Sequence, residues 1–211
     1  MLELTSLQIA HKRQALIKPV SASVNNGEIL ALMGPSGVGK SSILAYLSGT
    51  LSSGLQGLGQ ASLNGLQLMQ LAPEQRQLGL LQQHPLLFPH MTVAENLMFA
   101  MPKGGSKTER YQQAKLHLAE VGLQGLEERL PEQLSGGQQA RLALLRTLLS
   151  KPKALLLDEP FSKLDKSLRQ EMRQLVKQAI EKANIPAILV THDEDDATQL
   201  AAQIIELEAL G

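Results

Sequence analysis

Short apolar runs of strand length alternate along this chain with longer segments of helical period. Residues 2–10 alternate, with Leu2, Leu4 and Leu7 leading into Gln8-Ile9-Ala10, and predict a strand. Gly27 punctuates before Glu28–Met33, an apolar run of buried-strand length. A glycine-rich loop follows, and Ser41–Leu47 then takes up helical spacing. Residues 50–60, rich in glycine, serine and threonine, read as a loop; Ala61–Leu63 before Asn64-Gly65 reads as an edge strand ending in a turn. Leu78–Leu81 is a further short strand.

From residue 84 the texture changes. Pro85 and Pro89 delay regular structure, and Thr92 with Glu95 three positions on forms the pattern of a capping box. Residues 107–121 and 136–150 carry long Gln-, Ala- and Leu-rich helical periods. Strand and helix alternate again afterwards: Ala154–Leu157, a helix over Lys166–Ala183, Ala187–Val190, a helix over Glu194–Ala202, and a last strand at Ile204–Leu207. Apolar strands alternating with helices predict an α/β fold, a parallel sheet covered on both faces, interrupted by a mostly helical middle third.

Composition narrows the function classes. Lys plus Arg and Asp plus Glu each number 20, so the formal net charge is zero and nothing favours nucleic acid as a partner. Cysteine is absent, which excludes disulfides, thiolate metal sites and cysteine nucleophiles. No apolar run approaches the ~20 residues that span a bilayer, and the N-terminus lacks the pattern of a signal peptide. A role at a membrane would therefore need another subunit.

The strongest chemical signal is Gly34-Pro35-Ser36-Gly37-Val38-Gly39-Lys40-Ser41, followed by Ser42. It fits G-x-x-x-x-G-K-[ST] and stands between a strand and a helix, as a phosphate-binding loop must. Glycines let backbone N–H groups converge on phosphate oxygens, and the helix N-terminus adds its positive dipole end. In that chemistry Lys40 reaches the β- and γ-phosphates and the Ser41 hydroxyl goes to Mg²⁺, so a nucleotide and Mg²⁺ are the expected cofactors, in a GTPase, a kinase, a DNA repair ATPase or a transporter motor alike. Leu155-Leu156-Leu157-Asp158-Glu159 is an apolar strand ending in two carboxylates. Asp158 can hold Mg²⁺ and Glu159 can act on an attacking water, although charged residues also commonly finish a surface strand. Leu134-Ser135-Gly136-Gly137-Gln138 opens a helix with a second Ser-Gly-Gly loop. That is either a plain N-cap or a second anion site serving another subunit's nucleotide.

Taken in order, GPSGVGKS at 34–41, LSGGQ at 134–138, LLLDEP at 155–160, SKLD at 162–165 and Thr191-His192 resemble the ABC transporter ATPases over nearly the whole chain. The resemblance implies a P-loop NTPase fold: a nucleotide-binding lobe of 1–83 and 149–211 with N-terminal antiparallel strands, and an inserted helical subdomain of 84–148. It implies that Gln83 (with Gln82 its neighbouring alternative) senses Mg²⁺ and the attacking water, that Asp165 lies at a dimer seam, and that His192 contacts the γ-phosphate. It also implies that Ser135, Gly136, Gly137 and Gln138 close over the partner's nucleotide in a homodimer or paired ATPase. Position 11, where the family commonly places an aromatic residue against adenine, is His11, and Lys163 stands where a small residue is usual.

Gln138 and the lead-in Arg129-Leu130-Pro131-Glu132-Gln133 are similar to solute importers, as is Pro85–Leu97, an apolar stretch suited to a membrane subunit's helix. The run at 155–176 is similar to the ATPases of thiamine importers and to YnjD-type subunits. The implied setting is the cytoplasmic face of the inner membrane, held peripherally by permease subunits through the helical subdomain, with a solute-binding protein in the full complex. An export or lipid-handling motor shares this chemistry, and a soluble non-transport ATPase of the family is the third alternative.

Overall fold

The computed structural model describes residues 1–12 and 14–210. The chain divides into two compact units, one made of residues 1–80, 153–159 and 177–211, the other of residues 81–152 and 160–176. The second unit takes in the turn after Glu159 and the start of the following helix.

The first unit holds two sheets. The antiparallel one contains β1 (Leu2–His11), β2 (Gln14–Ala15), β3 (Val20–Val24), β5 (Leu55–Leu63) and β6 (Leu66–Gln67), in the order β2-β1-β5-β6 with β3 also paired to β1. The other has the order β10-β4-β9-β8-β7, from β4 (Ile29–Met33), β7 (Leu78–Leu81), β8 (Ala154–Asp158), β9 (Ala187–Val190) and β10 (Gln203–Glu206). Here β10, β4, β9 and β8 run parallel. Every residue of β4 and β9 is buried, as two-sided coverage of parallel strands requires. The register sets Leu32 beside Val190 and Val190 beside Asp158. The segments that follow β4, β8 and β9 therefore leave the sheet together at the carboxyl ends of these strands, where ligands bind in open parallel sheets.

β5 begins at Leu55, so half of the expected 50–60 loop is strand. Its glycines serve packing rather than flexibility. A Cβ at Gly57 would lie 2.1 Å from the Tyr46 ring, and one at Gly59 would lie 2.3 Å from the Ser6 carbonyl oxygen. Ser6, at φ 50°, sits in the irregular step where β1 and β5 shift register. Tyr46 belongs to α1 (Lys40–Ser48), and its hydroxyl donates to the Gly59 carbonyl at 3.2 Å. Arg76 fixes the other end of that helix, donating from Nη1 to the Tyr46 and Leu47 carbonyls at 2.8 and 2.7 Å. A buried guanidinium is tolerated there because it meets the negative end of the helix dipole.

The second unit packs α2 (Val93–Ala100), α3 (Lys107–Glu120) and α4 (Gly136–Leu149) around Leu97, Leu118, Leu142 and Leu145. All three helices start with reciprocal capping boxes: Thr92 with Glu95, Ser106 with Glu109, and Ser135 with Gln138. α5 (Lys166–Ala183) buries Met172, Val176 and Ile180 at four-residue spacing, one apolar face of an otherwise polar helix. α6 (Glu194–Leu200) is capped by Asp193, whose side chain accepts from the Asp196 N–H at 3.0 Å.

Candidate active site

In the first unit, the loop 34–39 leaves β4 and enters α1. Gly34, Gly37 and Gly39 have φ of 139°, 82° and 112°, a region open chiefly to glycine. A Cβ on Gly34 would come within 3.0 Å of the Leu207 carbonyl oxygen. Gly39 is the N-cap of α1, with no side-chain cap bond, and no acidic residue stands in the first turn. The positive helix end is therefore left to a ligand rather than neutralised by the chain, which is the electrostatic requirement for phosphate.

Lys40 is 5% exposed, and its ammonium donates to the Gly34 and Pro35 carbonyls at 2.7 and 3.0 Å. The cation is thus held inside the loop it would serve. The Ser41 hydroxyl donates to Asp158 Oδ1 at 2.8 Å. This pairs two hard oxygen donors from elements 117 residues apart. Burial pushes the Asp158 carboxyl above its ordinary pKa; the Ser41 bond and the Lys40 charge oppose that shift, and Glu159 beside it adds to it.

The raised pKa has a consequence for the nucleotide-free protein. A carboxyl raised on folding contributes its stability fully below the ordinary carboxylate pKa, and that contribution is lost as pH rises through the raised value. At neutral pH the half-buried charge is therefore a penalty. Asp158→Asn keeps an acceptor for Ser41 and removes the charge. It is expected to raise the melting temperature by a few degrees at pH 7, the gain vanishing below pH ~4. A thermal scan against pH that shows no gain at pH 7 overturns this account.

Glu159 follows β8 with φ 45°, a left-handed conformation for a non-glycine residue, and its N–H donates to the Val190 carbonyl at 2.9 Å. The turn separates the two carboxylates: Asp158 faces Ser41, whereas Glu159 Oε1 lies 3.0 Å from His192 Nδ1. His192 follows Thr191, whose hydroxyl is fixed by the Asp196 carboxylate at 3.3 Å and by the Asp193 N–H at 3.1 Å. The first unit thus brings together the loop 34–42, Asp158, Glu159 and His192. His11, exposed, ends β1 opposite Leu55 and Gln14.

In the second unit, Gln83 Nε2 donates to Ser162 Oγ at 3.1 Å. The Ser135 hydroxyl caps α4 by accepting from the Gln138 N–H at 3.3 Å, while the Ser135 N–H donates to Gln138 Oε1 at 3.0 Å. The two signature glycines differ in role. Gly136 has open space where a Cβ would be, but at Gly137 that atom would fall 2.1 Å from Leu168 on α5. Asp165 Oδ1 accepts from the Leu168 N–H at 3.0 Å and so caps α5.

Two further residues organise the stretch 86–92 and escaped the sequence reading. Asn96 is fully buried; its amide donates to the Phe88, Met91 and Thr92 carbonyls and its oxygen accepts from the Phe88 N–H, all at 2.9–3.1 Å. Arg146 donates to the Leu86 carbonyl at 2.6 Å and lies 5.3 Å over the Phe88 ring. The signal for Asn96 was a lone amide among the apolar residues Val93, Ala94, Leu97 and Met98. The loop so fixed presents Leu86, 61% exposed, and its Phe88 ring meets the ring of Phe99, 65% exposed, edge-on at 4.8 Å.

Comparison with known proteins follows the same lines. The family profile described as ABC transporter matches residues 17–162. The uncharacterised ABC transporter ATP-binding protein YnjD of Escherichia coli K12 is 43% identical over 194 residues, 90% of this chain and 87% of that protein. The putrescine transport ATP-binding protein PotG of the same organism is 38% identical over 97% of this chain and 54% of its own length. The sulfate/thiosulfate import ATP-binding protein CysA of Burkholderia mallei is 40% identical over 93% of this chain and 58% of its own. The chain therefore spans little more than half the length of these two relatives. Among solved structures, the dimeric post-hydrolysis state of the ATP-binding cassette MJ0796 bound to ADP and Pi superposes with a TM-score of 0.81 at 28% identity, covering 99% of this chain and 94% of that one.

Proposed function

The chain belongs to the ABC transporter family, and from that premise we propose that it is the ATP-binding and ATP-hydrolysing subunit of a membrane importer, acting as a nucleotide-sandwich pair. The observation that carries the reading is the cluster at the carboxyl ends of the parallel strands: an uncapped helix N-terminus, a buried Lys40, the Ser41–Asp158 pair and the Glu159–His192 pair. Phosphate binding, cation binding and proton handling each have their own residues there.

In this reading Lys40 exchanges its two loop carbonyls for the β- and γ-phosphates, and the N–H groups at Gly39–Ser42 receive phosphate oxygens. Ser41 and Asp158 fit Mg²⁺. They supply only two oxygens, as suits a cation that keeps water and substrate phosphates in its remaining positions. Bound there, Mg²⁺ would neutralise charge developing on the phosphates. Gln83 is proposed as a further contact to the cation and to the attacking water. Glu159 accepts that water's proton. His192, 3.0 Å from Glu159, is proposed to orient it and to contact the γ-phosphate. His11 is proposed to lie against the adenine, where an imidazole offers less stacking area than the usual aromatic ring. Asp165 belongs at the seam between subunits, and Ser135–Gln138 of a second copy would complete the site.

The dimeric state of the similar cassette supports the pairing, and the import in the name of CysA supports the direction of transport. No helix among the described residues is long and apolar enough to cross a membrane. The Leu86, Phe88 and Phe99 surface is accordingly proposed as the seat of a permease subunit, placing the chain on the cytoplasmic face of the membrane. Reconstitution with its membrane subunits in vesicles tests the direction. Solute is expected to move toward the side that carries this chain, together with ATP hydrolysis; solute moving away with the same hydrolysis makes the protein an export motor and leaves its ATPase assignment standing.

A further inference from the structure

Two neighbouring residues on each of two distant segments are joined side chain to side chain. Gln83 Nε2 donates to Ser162 Oγ at 3.1 Å, and the Lys163 ammonium lies 2.9 Å from Nδ1 and 3.0 Å from Nε2 of His84. Both pairs lie in the second unit, and both span 79 positions. Residues 83–84 and 162–163 therefore run side by side as two rungs of a short parallel ladder. The rungs border a cavity of about 170 Å³ lined also by Gln82, Gly136 and Gln139.

Gln83 needs such help. Residues 82–88 adopt no helix or strand, and Gln83 is exposed. A long exposed amide loses close to the full rotamer entropy of its class when it is fixed in one place. A single hydrogen bond to a serine hydroxyl is a weak restraint on it. The second rung restrains the same two segments independently. An ammonium has three donors and no acceptor, and a neutral imidazole presents one nitrogen lone pair in either tautomer, so Lys163 can donate to whichever His84 nitrogen carries it. A small residue at position 163 could not make it.

We propose that Lys163 and His84 are positioning residues for Gln83, clamping the segment 83–84 to the turn 162–163 so that the Gln83 amide is held ready for the reaction. This rests on the reading above in which Gln83 acts on the cation and the attacking water. Lys163 and His84 touch neither; they act through the amide.

Single-turnover ATP hydrolysis by the full chain, assembled with its membrane subunits where turnover requires them, provides the test. Lys163→Met keeps the length of the stem and removes the donor. It is expected to slow hydrolysis at saturating ATP about two- to tenfold while leaving the half-saturating ATP concentration unchanged. Lys163→Arg, which restores a donor, recovers most of the rate, and His84→Phe reproduces the loss. In a Gln83→Ala background, Lys163→Met then has no further effect. A native rate in Lys163→Met, a change in half-saturation alone, or a full additional loss in the Gln83→Ala background overturns the clamp. A native rate in Gln83→Ala by itself overturns the role given to Gln83, and the clamp with it, before any Lys163 variant is needed.

Discussion

Glu159→Gln is expected to bind ATP with near-native affinity, to hydrolyse it about 10²–10⁴-fold more slowly and to accumulate as an ATP-bound dimer. The substitution is nearly isosteric, so it preserves the left-handed turn at φ 45° and the N–H bond to the Val190 carbonyl that aims the side chain. It also leaves untouched Lys40, Ser41 and Asp158, which hold phosphate and cation in this reading. What it removes is the capacity to accept a proton from water. Binding and chemistry thus separate at a single atom, and size-exclusion chromatography with ATP alongside a phosphate-release assay reads both. Turnover within a few-fold of the native chain would mean that another group accepts the proton, and Glu159 would lose its assignment.

The reason this residue was legible without coordinates is local. An apolar strand ending in two adjacent carboxylates sends them in different directions, and the structure separates them onto Ser41 and His192. The phosphate loop was legible for the same reason: its glycines, lysine and serine are contiguous, and each backbone demand is met within eight residues. Parallel strands were equally readable, because burial on both faces leaves a continuous apolar run.

The features that stayed hidden are those whose meaning lies in a distant partner. Gly57 and Gly59 read as loop punctuation, yet the first makes room in a strand for Tyr46 of the phosphate-loop helix and the second for the Ser6 backbone of β1. Val20–Val24 alternates over only five residues and pairs with β1 after the short β1–β2 hairpin, too brief a pattern to stand out. Ser162 and Lys163 gain their significance from Gln83 and His84, 79 positions away, and no periodicity links such pairs. Asn96 sat in plain view, but its four bonds to the backbone of 88–92 depend on a loop path that the two prolines conceal.

Ser135→Arg addresses the other half of the proposed site, the part contributed by a second copy. Ser135 is exposed at the start of α4, and a Cβ at neighbouring Gly136 would meet only open space. Replacing the serine costs the bond from the Gln138 N–H, about 1 kcal/mol by the usual value of an N-cap. Half of the capping box survives, because the Ser135 N–H donates to Gln138 Oε1 through the backbone. The helix is held further along by buried Leu142, Leu144 and Leu145, so the variant is expected to fold with a melting temperature lowered by only a few degrees. Its long cationic side chain would nevertheless occupy the proposed seam. The expected result is a monomer that binds ATP within a few-fold of native affinity, since the loop 34–42 belongs to a different unit of the chain, but forms no ATP-dependent dimer even when combined with Glu159→Gln. Hydrolysis is expected to fall at least 100-fold, on the scale of removing a group that stabilises charge in the transition state. Light scattering with and without ATP, together with calorimetric titration of the monomer, distinguishes the alternatives. Should the monomer itself lose ATP binding, Ser135 would serve its own subunit's nucleotide, and the shared site would have to be abandoned in favour of one closed within a single chain.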